Sequence, residues 1–253
     1  MSQIPTRVAP GVHRIGDDIV NFYLVEAEDC LVMVDAGLPS HSRRLLDALA
    51  HLEDRLCAVV LTHAHPDHVG LAETVRARTG AQVWVHEADA QALDEGQPGV
   101  MHHLQPECRV LPYLMRRPSA LRPMMLRGFA GALMSPMVRE YRSFGHDQIL
   151  REVPGRPRVL SVPGHTPGST VVVFDDRAVA FTGDALVTYD CSTGHRGPCV
   201  VSRAFTQDSE QALESLEQVA ELPDETLMLP GHGAPFAEKP RIAVLRARAT
   251  GVR

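Results

Sequence analysis

"LTHAHPDHVG", residues 61–70, sets three histidines and an aspartate within six positions, directly behind the apolar run Ala58-Val59-Val60-Leu61. Chain packing does not ask for such a group at the end of a buried strand. In extended chain, residues two apart point to the same side, so His63 and His65 can grip one ion together. Pro66 breaks the extended run. Asp67 and His68 then fall in the turn that opens the next helix, where they face a neighbouring point. Zinc takes imidazole and carboxylate ligands, about four per ion. The loop thus offers four donors to what reads as two sites, and the remaining donors must lie elsewhere in the chain.

Three later stretches supply them. "VPGHTPGS" offers His165, "FTGDAL" offers Asp184 and "LPGHGAP" offers His232. Each of these residues directly follows a glycine at the end of an apolar strand, where a residue without a side chain lets the backbone turn sharply and bring a donor close. Any one of them alone reads as a polar loop residue. Seven in this regular placement point to a metal centre.

The pattern HxHxDH, then a lone His, a lone Asp and a lone His, is met in full and in order and resembles that of the metallo-β-lactamase superfamily over nearly the whole chain. The resemblance implies an αββα four-layer sandwich, an α/β fold with the metals at one edge between two sheets. It assigns His63, His65 and His165 to one metal, Asp67, His68 and His232 to a second, and Asp184 to both. Asp35 in "VMVDAG" matches the family's early strand-end aspartate, a support for the ligands, and it reads equally as a plain turn residue. Two Zn²⁺ are the expected cofactors, with Fe or Mn as substitutes.

Charge supports a hydrolytic use of such a site. Two Zn²⁺, the carboxylates of Asp67 and Asp184 and a bridging hydroxide leave about one positive charge, because the imidazoles are neutral, and that favours an oxyanion. A metal brings the pKa of bound water to near 7, which makes a bridging hydroxide the expected nucleophile, and a second metal polarises the oxygen under attack. Asp67 is the expected proton handler as well as a ligand.

Asp184 narrows the resemblance. Glyoxalase II-like thioesterases, lactonases, phosphodiesterases and nucleases of the superfamily carry aspartate at this bridging position, whereas its true β-lactamases carry serine or cysteine. The expected reaction is hydrolysis of an ester, thioester or lactone bond in a small molecule. The alternatives are a mono-iron enzyme resembling persulfide dioxygenases, a β-lactamase-type amide hydrolase, and a metal-binding protein without activity. Glyoxalase II holds glutathione through basic residues in a C-terminal helical region, and "EKPRIAVLRARATGVR" is a poor match to it. Tyr189, five positions after Asp184, and His195 in "CSTGHRGPC" are candidate substrate contacts. Each also reads as a loop residue.

Composition sets the outer bounds. With 253 residues, 44% hydrophobic and 22% charged, the chain reads as one domain, 1–253, with a substantial core. Alternating strand and helix patterns flank a different middle: "IVNFYLVEA", "CLVMVDAG", "SRRLLDALAHL", "CAVVLTH", "VGLAETVRARTG" and "AQVWVHE" before it, "PRVLSVPG", "GSTVVVFDD", "AVAFTGD", "SEQALESLEQVAEL", "TLMLPGHG" and "RIAVLRARA" after it. Residues 109–151 hold eight arginines against Glu140 and Asp147, a net charge of +6 in a chain whose total is −6, together with five of the nine methionines. This predicts a helical insert over about 109–150, which reads as a lid on the metal site, a homo-oligomer contact, a membrane-surface helix or plain packing. The negative total gives no footprint for nucleic acid. No apolar run has the length of a signal peptide or a membrane span, so a cytoplasmic location and a small-molecule partner are expected. Five scattered cysteines without a CxxC pair describe no disulfide framework.

Overall fold

In the computed structural model, residues 5–17, 19–94, 105–115, 131 and 136–253 are described. Seven strands form the first sheet in sequence order: β1 (Thr6–Ala9), β2 (Val12–Gly16), β3 (Asn21–Ala27), β4 (Cys30–Val34), β5 (Leu56–Val60), β6 (Gln82–His86) and β7 (Arg142–Phe144). The first four pair antiparallel, as short turns allow. From β4 to β7 the pairing is parallel, which requires each connection to return to the same end of the sheet. Helix α1 (Ser42–Leu52) makes the first crossover, and α2 (Pro66–Val69) with α3 (Ala72–Thr79) make the second. Gly80, left-handed at φ 74°, ends α3. Residues 87–94, helix α4, follow β6.

The second sheet runs β14 (Leu227–Pro230), β11 (Val179–Gly183), β10 (Thr170–Phe174), β9 (Arg158–Ser161) and β8 (Gln148–Ile149). A separate hairpin joins β12 (Val187–Asp190) and β13 (His195–Cys199). The stretch that reads as one helix in sequence, "SEQALESLEQVAEL", forms two short ones, α6 (Ser209–Ser215) and α7 (Glu217–Ala220), split at Leu216. Helix α8 (Pro240–Thr250) closes the layer.

Strand periodicity separates three apolar layers. Val32 and Val34 of β4 join Val172, Phe181 and Leu229 between the sheets, while Leu31 and Met33 of the same strand turn outward to Leu45 of α1 and Val75 of α3. On the other side, Val171, Val173 and Ala180 pack under Ala212, Val219 and Val244. Burying each large aliphatic side chain contributes roughly 1.5–3 kcal/mol, and a one-residue slip would exchange the two faces of a strand. The result is helix, sheet, sheet, helix. None of the five cysteines forms a disulfide.

The helical insert expected over 109–150 needs correction within its described part. Helix α5 (Val110–Met115) is present, but Arg142–Phe144 and Gln148–Ile149 are strands that extend the two sheets. The cause is burial: Phe144 is in the inter-sheet core, and the Arg142 guanidinium lies 5.4 Å from the Trp84 ring centroid. Residues 116–130 and 132–135, with Met124, Met125 and most of the methionine-rich run, lie outside the described residues. No described helix is long and apolar enough to cross a membrane.

Candidate metal centre

All seven predicted residues meet at one edge of the sandwich. His63 and His65 follow β5, and Asp67 and His68 sit in α2, which Pro66 starts at its first position. His165 lies between β9 and β10, Asp184 directly after β11, and His232 just past β14. Three groups of donors form among the described residues: His63, His65 and His165; His63, His68 and Asp184; Asp67, His68 and His232. Within each, the ligand atoms are within 4.8 Å of one another. Six of the seven residues are buried, and Asp67 retains partial exposure.

Asp184 stands between the groups. Its Oδ2 is 3.0 Å from His232 Nε2 and 3.5 Å from His165 Nε2, while Oδ1 faces His68 Nε2 at 3.4 Å. Asp67 Oδ2 is 3.6 Å from His232 Nε2, and His165 Nε2 lies 2.8 Å from His65 Nδ1.

The outer nitrogens of four histidines are each engaged. His68 Nδ1 donates to Asp35 Oδ2 at 2.8 Å, and His63 Nδ1 meets Thr62 Oγ1 at 3.1 Å, which in turn donates to Asp35. His165 Nδ1 meets Thr206 Oγ1 at 3.3 Å, whose hydroxyl donates to the Val201 carbonyl. His232 Nδ1 donates to the carbonyl of Ile19. Occupying Nδ1 as a donor leaves Nε2 with its lone pair aimed inward, the tautomer a metal requires.

The centre fits a metal. His63 Nε2, His65 Nε2, His68 Nε2 and Asp184 Oδ1 are buried without a hydrogen-bond partner. A buried polar atom left so costs about 1–3 kcal/mol, whereas a cation would engage the imidazole lone pairs and the carboxylate. Burial also pushes the imidazoles towards the neutral form: His65 down to about 4, His165 down to about 3, and His63 well below the ordinary value, where neighbouring histidines add to the effect. His68 goes the other way. Burial opposes its charge, but the carboxylates of Asp184 and Asp35 outweigh it and hold the imidazole well above the ordinary value. Burial likewise works against the Asp184 charge, and His232 and His68 overcome it to hold the carboxyl well below the usual range.

Of the remaining predicted residues, Asp35 is buried behind the ligands at φ 59° and Tyr189 lines the site cavity. That cavity, about 50 Å³, is also walled by Asp67, Asp184 and His232. Arg196 lies 4.6 Å from the Tyr189 ring centroid. His195 pairs with Asp190 in the hairpin and joins none of the donor groups. Sequence reading missed Asp89, Thr62, Thr206 and the Ile19 carbonyl. Asp89 had a usable signal: it is a carboxylate just beyond a buried strand, the same placement that marked the ligands. A second cavity, about 240 Å³, shares His65 as a wall and is lined by Asp89, Gln105, Thr166 and Gln207.

Residues 15–232 match the family model described as the metallo-β-lactamase superfamily. The chain belongs to the metallo-β-lactamase superfamily. It is 28% identical to a probable metallo-hydrolase, YflN, of Bacillus subtilis, over 91% of this chain and 87% of that one. It is 31% identical to a hydroxyacylglutathione hydrolase of Cereibacter sphaeroides over 74% of this chain, a match that spans about half, 52%, of that protein. The crystal structure of the metallo-β-lactamase family protein TTHA1429 from Thermus thermophilus aligns with a TM-score of 0.68 and 25% identity, covering 96% of this chain and 80% of that one.

Proposed function

We propose that the protein is a dinuclear metal-dependent hydrolase of an ester, thioester or lactone bond in a small molecule, with Zn²⁺ as the expected ion and the cytoplasm as the expected location. The observation that carries this reading is the position of Asp184, one oxygen towards His165 and His232 and the other towards His68. A carboxylate so placed suits two ions, with His63, His65 and His165 holding one and Asp67, His68 and His232 the other. The similarity to proteins named as hydrolases supports the reaction type.

When bound, the metals would supply Lewis acidity and a water acidified to near neutral pKa. The chain's own residues do the rest. Asp67, the most exposed of the seven, faces the cavity and is suited to orient the attacking water and return its proton to the leaving group. The Tyr189 hydroxyl is suited to steady the substrate oxygen. The larger cavity, walled also by Ala64, Ala88, Ala92 and Pro167, provides room for a compact acyl part.

The test is hydrolysis of a panel of lactones, thioesters, phosphodiesters and β-lactams by the purified protein, before and after metal removal. Turnover of one of the first two classes, lost with the metal and restored by Zn²⁺, is expected. Turnover of β-lactams alone, or oxygen uptake on a persulfide with one iron per chain, would replace the reading.

A further inference from the structure

Asp89 lies outside the ligand set, yet its carboxylate connects the two loops that carry the first donor group. It is 5% exposed, in α4, just past the end of β6. Oδ2 accepts from the Ala64 amide at 3.0 Å and from Thr166 Oγ1 at 2.8 Å, and Oδ1 accepts from the Gly168 amide at 2.7 Å. Ala64 is the residue between His63 and His65, and Thr166 is the residue after His165. One carboxylate therefore ties the backbone of the first loop to two points of the second, directly after His165.

The local sequence is adapted to this contact. A Cβ on Gly168 would come within 2.6 Å of the Asp89 carboxylate, so only glycine lets the loop approach this closely. Thr166 is further held by Ser169, whose Oγ accepts from the Thr166 amide at 2.9 Å. A buried carboxylate is costly unless several donors satisfy it, and here three converge. An ionised Asp only accepts, whereas an Asn at this position would turn its NH₂ towards at least one of those donors.

We propose that Asp89 is a positioning residue for the first metal, setting the His63 and His65 pair against His165. This rests on the dinuclear reading above. The residues that Asp89 holds, Ala64, Thr166 and Gly168, flank His63, His65 and His165, the three ligands of the first ion.

The experiment follows release of Zn²⁺ from the loaded protein to a chromogenic chelator, with thermal melting of the metal-free protein alongside. For Asp89→Asn, one of the two ions is expected to be held roughly 10- to 100-fold more weakly, the typical effect of removing a group that orients metal ligands, and the other unchanged. Thr166→Val, which keeps the volume and removes the hydroxyl, should weaken the same ion to a smaller degree, and Thr166→Ser should restore wild-type release. The threonine variants decide the matter if Asp89→Asn does not fold. Wild-type release of both ions from the variants, or equal weakening of both, would overturn the proposal. A wild-type chain that takes up no Zn²⁺ would instead overturn the dinuclear reading itself, and with it this one.

Discussion

Asp35 Oδ2 accepts a hydrogen bond from His68 Nδ1 at 2.8 Å, and the same carboxylate also accepts from the Thr62 amide at 2.8 Å and the Thr62 hydroxyl. Since Thr62 Oγ1 meets His63 Nδ1, one buried carboxylate orients two of the histidines, His63 and His68. Asp35 also holds a left-handed backbone, φ 59°, a conformation open mainly to Gly, Asn and Asp.

Asp35→Asn should therefore keep the backbone and disturb the tautomers. Its NH₂ cannot accept from His68 or Thr62, so metal affinity should fall by roughly 10- to 100-fold, read by chelator competition. Asp35→Ala should also lower the melting temperature, because buried donors lose their acceptor and the backbone is strained. Unchanged affinity in both variants would remove Asp35 from the support of the site.

Acid should act on the turn between β2 and β3 through Asp17. Burial works against its charge, but His41 Nε2 at 3.1 Å and the amides of Val20 and Ile19 at 3.0 and 2.8 Å hold the carboxyl well below its ordinary value of 3.8. A carboxylate depressed on folding contributes stability that is fully present above the unfolded value and is lost as pH falls through that value towards the folded one. The wild-type melting temperature should thus drop below about pH 4 more steeply than that of Asp17→Asn, with the variant already less stable at neutral pH. Because the Ile19 carbonyl accepts a hydrogen bond from His232 Nδ1, the variant should also hold a metal at His232 less firmly. Parallel pH profiles for the two proteins would contradict this account.

Much of this centre is legible in the sequence because metal donors must be a few residue types at turns after buried strands. His63, His65, His165, Asp184 and His232 each end an apolar run, and strand ends at one sheet edge are brought together by the fold itself. The supporting contacts are harder to read. The Ile19 carbonyl carries no side-chain signal, and Thr62 and Thr206 are ordinary threonines until His63 and His165 approach. Strands β1, β7, β8 and the β12–β13 hairpin escape for another reason: they are two to five residues long, and Thr6–Ala9 or Gln148–Ile149 has no apolar alternation to read.

Two roles for Asp67 can be separated by mutation. If it both ligates and moves the proton, Asp67→Ala should lose several orders of magnitude in kcat, and saturating Zn²⁺ should restore the metal content without restoring the rate. Recovery of kcat along with the metal would leave ligation as its role.

Helix α5 exposes Leu111 and Met115 at 69% and 72%, more than a solvated surface turn requires. The stretch that leads into it is anchored, because Glu107 accepts from the Ser209 amide and hydroxyl at 2.7 and 2.8 Å, and the Glu107 amide donates to the carbonyl of Thr206, the partner of His165. If these apolar side chains serve substrate selection, Leu111→Ser with Met115→Ser should raise KM for long-acyl substrates and leave kcat for a short activated ester nearly unchanged. An unchanged KM with a smaller mass in solution would identify the surface as a subunit contact instead.

The bridging position of Asp184 is the central claim, and elemental analysis of the purified protein with its Asp184→Asn variant tests it most directly. Close to two transition-metal ions per chain are predicted for the wild type, falling by at least one in the variant together with most of the activity. One ion or none per wild-type chain after Zn²⁺ loading, or a full complement retained by Asp184→Asn, would contradict the account.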